Sequence, residues 1–253
     1  MSLGRSPEHA RTAVCPVRAG SANLDTIAAP TPAAEAANWT ARQLLERFAV
    51  HGRFYEHQAG ITVYPLRSHL EIFDRTSLSW PAARTAPADL VAVMMNPGGS
   101  RPLHAPDVDG WAEAVPDRTQ YQLMKLALAA STRRAQPIWH IRVINLSDLR
   151  TPKSAELFAT LGRIGGWHSL FDDARAGELR QALGATTTPV LRAWGMSPHL
   201  SGLAARANQA LHAHPVLGLS ADGLAYRHPL PQRADLQRAW LQQMTGQLTA
   251  AGA

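Results

Sequence analysis

Asp89 is followed by an apolar run without alternation, Leu90-Val-Ala-Val-Met-Met95, which ends abruptly in Asn96-Pro97-Gly98-Gly99-Ser100. A strand with one wet face alternates apolar with polar residues; a run this continuous belongs to a strand covered on both faces, as in a parallel sheet. Parallel neighbours need long crossovers, usually helical, so the run points to strands alternating with helices. Proline then stops ladder donation, and two glycines admit torsions and close approaches that a Cβ forbids. The run reads as a central strand whose carboxyl end offers bare backbone to a ligand.

The rest of the chain follows this pattern. Further strands are expected at Ile138–Asn145, Pro189–Trp194 and Val216–Leu219. Between them lie helical segments: one opening at Thr119 and turning Tyr121, Met124 and Leu128 inward, one from about Asp173 that Gly184 caps, and one near Leu200–His212. A last helix from Ala234 carries Leu236, Trp240, Met244 and Leu248 at four-residue spacing and is expected to pack on the sheet. Upstream, Thr40 with Gln43 fits a capping box, opening a helix with Leu44, Leu45 and Phe48 on one face and its end near Gly52. Ile61–Tyr64 and His69–Phe73 read as short flanking strands. Residues 1–37, rich in Ala, Pro, Ser and Gly, read as a disordered tail, leaving one α/β domain over residues 38–253.

Composition narrows the function classes. The formal charge of +6 is carried almost wholly by arginine, with only Lys125 and Lys153 as lysines, so it supports a nucleic-acid partner weakly. A single cysteine, Cys15, excludes an intramolecular disulfide and a thiolate metal centre. With no apolar stretch long enough for a signal peptide or a membrane span, the expectation is a cytoplasmic protein with no membrane partner, a monomer. His212-Ala-His214 has no accompanying metal-ligand pattern, and no cofactor or metal is expected.

Each expected strand ends in residues that suit binding better than packing: Asn96 to Ser100, Asn145-Leu-Ser-Asp148, Trp194-Gly195 and, beyond the fourth, Arg227-His228-Pro229-Leu230-Pro231. In open parallel sheets such ends share one edge, where ligands bind. Taken singly, Asn96-Pro-Gly-Gly is a plain turn, Asn145 a cap on its own strand, His228 a loop histidine, and Trp194 and Trp240 core residues.

Taken in order, these motifs resemble the uracil-DNA glycosylase superfamily. Its first motif is similar to Met95-Asn96-Pro97-Gly98, its strand-end asparagine to Asn145, and its final His-Pro-Ser-Pro to His228-Pro229-Leu230-Pro231. A bacterial glycosylase-like family of unassigned function is more similar still, through Asn96-Pro97, Asp117-Arg118-Thr119, Asn145-Leu146, Trp194-Gly195 and His228-Pro229-Leu230. The likeness spans about residues 89 to 231.

The resemblance implies a three-layer α/β/α sandwich around a short, four-stranded, mostly parallel sheet, with DNA as partner. It implies hydrolysis of the N-glycosidic bond of a flipped uracil or other deaminated base, without metal. Asn96 would orient the attacking water and His228 would stabilise the leaving base, while Asn145 and Met95 would hold that base. Pro97, Gly98, Gly99, Ser100, Arg227 and Pro229 would contact flanking phosphates, partly through exposed backbone N–H groups. Met94 and Leu230 depart from the usual glycine and serine, and Asn96 stands where the most active branch has aspartate. Trp111 and Tyr121 are the candidates for stacking on the base. Two other readings remain: a nucleic-acid or nucleotide-binding protein that keeps the cleft without the chemistry, and an enzyme acting on free nucleosides.

Overall fold

The computed structural model describes Met1 and residues 31–251, so most of the expected tail lies outside the described residues. Its last part is helical. Thr31 caps helix α1 (Pro32–Ala37), and Ala33 and Ala36 are buried in the main core, so the described domain starts before Asn38. Thr40 and Gln43 form both bonds of the expected capping box on α2 (Ala41–Arg47). That helix stops at Arg47 instead of near Gly52, because Phe48 opens a long strand, β1 (Phe48–Ala59). Phe48, Val50 and Phe54 face one core with period two, which the helical spacing of Leu44 and Phe48 conceals in the sequence.

β1 turns through Gly60 into β2 (Thr62–Asp74), a single strand where two short ones were expected. Pro65 is tolerated because the pairing of β2 with its next neighbour covers only Leu70 to Phe73. There follow α3 (Trp80–Thr85), β3 (Leu90–Met94), β4 (Trp111–Glu113), α4 (Arg118–Ser131) and β5 (His140–Asn145). The chain continues with α5 (Ser154–Leu161), α6 (Ala176–Leu183), β6 (Val190–Arg192), α7 (Ser201–Ala210), β7 (Val216–Leu217) and α8 (Ala234–Ala251).

The fold class is α/β, as expected, but the sheet is larger than four strands. Seven strands run in the order β4-β1-β2-β5-β3-β6-β7. β5, β3, β6 and β7, the four expected strands, form its parallel half, and β2, β1 and β4 extend it with antiparallel pairing. This extension has no apolar run to announce it: β2 buries Arg67, Ser68, His69, Glu71 and Asp74.

β3 sends Leu90, Ala92 and Met94 into one core, shared with α4 and α8, and Val91 and Val93 into another, shared with α6 and α7. In α8, Trp240, Met244 and Leu248 are buried as expected, whereas Leu236 is exposed. At the antiparallel joint, Glu71 receives Arg142 Nε at 2.7 Å and His140 Nε2 at 2.6 Å. The other nitrogens of Arg142 reach the Ala86 and Ala182 carbonyls, so this buried charge cluster is well provided with partners.

Candidate functional site

The carboxyl ends of β3 and β5 lie side by side, Met94 opposite Asn145, and their ladder continues past both strands. Leu146 and Ser147 donate N–H bonds to the carbonyls of Met94 and Met95 at 2.8 and 3.1 Å. The chain then turns: Ser100 N–H meets the Pro97 carbonyl at 3.2 Å, with Gly98 at φ +60°. Nothing lies within 4 Å of a Cβ built on Gly98, so its torsion, not a close neighbour, requires glycine. A cavity of about 170 Å³ opens between this turn, the start of α4 and the β2 side of the sheet.

Asn96 lines it, anchored. Its Nδ2 donates to the carbonyls of Leu149 at 3.1 Å and Thr151 at 2.8 Å. Two carbonyls can be met only by the amide nitrogen, so the side chain's orientation is settled and Oδ1 is the atom left to accept a bond. Asn145 is the converse case: at 0% exposure, it has no partner for either Nδ2 or Oδ1 among the described residues, although it lines the cavity. A buried amide left without partners is costly unless a ligand or water completes it.

His228 closes the opposite side. Gly195 N–H bonds the Tyr226 carbonyl, Arg227 N–H bonds the Leu219 carbonyl, and the Trp194 indole N–H bonds the Leu224 carbonyl, which ties the histidine's segment to the ends of β6 and β7. Trp194 itself is core, 1% exposed. Leu230 N–H donates to Nδ1 of His228 at 3.1 Å, which places the ring proton of the neutral imidazole on Nε2. Burial lowers the His228 pKa from the usual histidine value, opposed by the carboxylate of Asp117. His228 is thus a neutral donor at neutral pH.

The remaining expected residues divide. Met95, Pro97 and Gly98 line the cavity; Gly99, Ser100 and Pro229 do not. Among the described residues the N–H groups of Gly98 and Gly99 have no backbone acceptor, but those of Ser100 and Leu230 are taken by Pro97 and His228, so fewer are free for phosphate than expected. Exposed Arg227 faces a separate groove of about 380 Å³ beside Trp240 and Leu236, which shares His228 with the first cavity. The stacking candidates lie elsewhere: Trp111 packs edge-on against Trp80, and Tyr121 packs against the main core. No Phe, Tyr or Trp lines the cavity. His212 and His214 turn their Nδ1 atoms to backbone carbonyls, and among the described residues no three His, Cys, Asp or Glu side chains are grouped as metal ligands.

Sequence reasoning overlooked Arg67, the only guanidinium in the cavity wall among the described residues, and Gln120, and it matched Asp117 and Thr119 to a motif without giving them a role. Asp117 had a signal, its capping box with Gln120, in which its Oδ1 accepts the N–H groups of Thr119 and Gln120. Arg67 had none: it fell between the two short strands expected at Ile61–Tyr64 and His69–Phe73. Asp148, whose carbonyl accepts the Arg67 backbone N–H at 2.9 Å, receives Arg175 at 2.6 Å and Tyr55 at 2.8 Å on its carboxylate, yet burial still pushes its carboxyl up to about 6. Comparison of the chain with protein-family models, curated proteins and solved structures finds no match.

Proposed function

We propose that the chain is a hydrolase of the uracil-DNA glycosylase type, cleaving the N-glycosidic bond of a deaminated base rotated out of DNA into the cavity at the carboxyl ends of β3 and β5. One observation carries the reading. A single small cavity gathers an amide with an unpartnered donor and acceptor (Asn145), an amide with its oxygen left to accept (Asn96), and a neutral histidine with its proton on Nε2 (His228). In this reading the parallel half of the sheet corresponds to the short central sheet of that superfamily, in three layers, and the antiparallel strands are an addition.

The chemistry follows from those groups. Water attacks the sugar carbon as its bond to the base nitrogen breaks, and the bonding pair leaves with the base. Negative charge develops on the base's carbonyl oxygen, where the Nε2–H of His228 stabilises it. Asn96 Oδ1 accepts a proton of the water in a hydrogen bond and so orients it; as a neutral amide it takes up no proton, which ends on the departed base. Asn145 reads the base edge with one donor and one acceptor. Arg101, Arg118 and Arg227 are exposed, adjoin the site in sequence and form no ion pair among the described residues, which suits them to backbone phosphates.

A second reading, recognition without turnover, draws support from the lack of a Phe, Tyr or Trp in the cavity wall among the described residues. Oligonucleotides carrying uracil, hypoxanthine or xanthine, single-stranded and paired, separate the two when abasic sites are revealed by alkali. Cleavage lost in His228→Ala supports the hydrolase. Retained binding without product supports the second reading.

A further inference from the structure

β1 and β2 pair in register except at one bulge. Arg53 faces His69 and Phe54 faces Arg67, so Ser68 is the extra residue. Directly paired residues point to the same face, so the bulge moves Arg67 onto the face of Phe54, Leu70 and Ile72. Without it, alternation would place Arg67 with His69 and Glu71 instead. That face is the one carrying Met94, Val143 and Leu123, which line the cavity. Gly52 lets the stem pass: a Cβ there would lie 3.2 Å from Arg67 Cδ and 2.9 Å from the Phe54 ring.

The guanidinium so placed has nothing to hold. Arg67 is 2% exposed, lines the cavity, and makes no side-chain hydrogen bond or ion pair among the described residues; Nε and Nη1 are buried without partners. A buried charge without a partner is strongly unfavourable, so a fold that builds a bulge and a glycine around one points to a ligand. Asp117 and Asp148 offset the charge of Arg67 only from beyond ion-pair distance: Asp117 Oδ1 caps α4, and Asp148 Oδ2 holds Arg175 and Tyr55 while its Oδ1 is buried without a partner. A guanidinium presents adjacent N–H donors in a rigid fork, and its partner among bases is a pair of adjacent acceptors. The O6 and N7 atoms of a 6-oxopurine form that pair, whereas uracil has a carbon beside its O4.

We infer that Arg67 makes this cavity a reader of 6-oxopurines, the deamination products hypoxanthine and xanthine, in preference to uracil, with Arg67 on the O6/N7 edge and Asn145 on another edge of the ring. The inference rests on the proposed function for its setting in DNA, but not for its test.

Binding of hypoxanthine, xanthine and uracil, each methylated at its glycosidic nitrogen so that purine N7 stays an acceptor, tests it by calorimetry on wild type, Arg67→Met and Arg67→Lys. The wild type is expected to hold at least one of the two purines about fivefold or more tighter than uracil. Both variants should lose that preference, because lysine keeps the charge without the fork. Equal or tighter binding of uracil, no measurable binding of any of the three, or a preference that survives in a folded Arg67→Met protein would each overturn it. Should neither variant fold, the wild-type ratio alone decides. A purine preference without excision from the corresponding oligonucleotides sinks the glycosylase reading and leaves this one standing.

Discussion

The backbone N–H of Leu230 donates to Nδ1 of His228 at 3.1 Å, two residues back along the same turn. This bond supplies from the main chain what chemistry at His228 needs, a neutral ring with its proton on Nε2. Leu230, where the resemblance has serine, therefore leaves the histidine's tautomer intact. His228→Ala is expected to lower excision by about 10²–10³-fold, the usual effect of removing one donor to a developing oxyanion. Leu230→Ser keeps the N–H and should keep the rate within a few-fold. Because burial lowers the pKa of His228, the neutral donor persists as pH falls through the ordinary histidine value. The rate should hold through that range and fall only in stronger acid; a drop centred on the ordinary value would contradict this assignment.

Asn96→Asp should damage this protein, although aspartate is the residue that the resemblance assigns to the most active branch. Here the Asn96 amide faces the carbonyls of Leu149 and Thr151, and a carboxylate would meet both with oxygen. The expected cost is about 1–3 kcal/mol in urea denaturation at neutral pH. It should shrink in mild acid, where the new carboxyl takes up a proton and can donate to one carbonyl. Equal stability of variant and wild type at neutral pH, or faster excision by the variant, would show that the Asn96 amide is not the clamp described.

Glu71 tests whether the antiparallel extension is an integral part of the fold. Its carboxylate joins His140 and Arg142 inside the sheet, away from the cavity wall. Glu71→Ala leaves the buried Arg142 without its counter-ion and is expected to cost about 3–5 kcal/mol. Glu71→Gln, which can still accept one bond, should cost less. Base affinity per folded molecule should be unchanged in both, so loss of affinity in a fully folded Glu71→Gln protein would place the network in the site.

Legibility in the sequence followed burial. β3 could be read from its letters because all its residues are buried and apolar, and β5 and β6 because Ile141, Val143 and Ile144 in the one and Val190 and Leu191 in the other supply half or more of the strand. β2 is just as buried over its second half, but beside Arg67, Ser68 and His69 it buries Glu71 and Asp74, whose partners come from β5, the segment after β2 and α2. No local pattern reports such tertiary compensation. The same holds within the site. Asn96, Asn145 and His228 stand at strand ends or in a motif that marks them, and they do share one cavity. Arg67 enters that cavity through a bulge, and a one-residue change of register, decided between β1 and β2, moves a side chain from one face to the other.

Acid stability offers a prediction in which two opposing shifts must be weighed. Burial lowers His69 and His168 from 6.5 to about 4. In the unfolded chain both take up protons as pH falls through 6.5, while the folded protein resists until about 4. The unfolded state therefore binds more protons in that window, stability falls on acidification, and each histidine removes on the order of 3 kcal/mol by its lower end. Asp148 acts with the opposite sign. Its carboxyl is pushed up from 3.8 to about 6, so between those values the folded protein binds the extra proton and is favoured by acid, to a similar extent. From pH 6.5 to about 6 the histidines act alone; below that, Asp148 offsets one of them. Melting temperature should fall from pH 7 to 4, and Asp148→Asn, which removes the offset, should make the fall steeper below pH 6 while leaving its onset in place. A profile that is flat or rising on acidification would mean that the two imidazoles are not held neutral by burial.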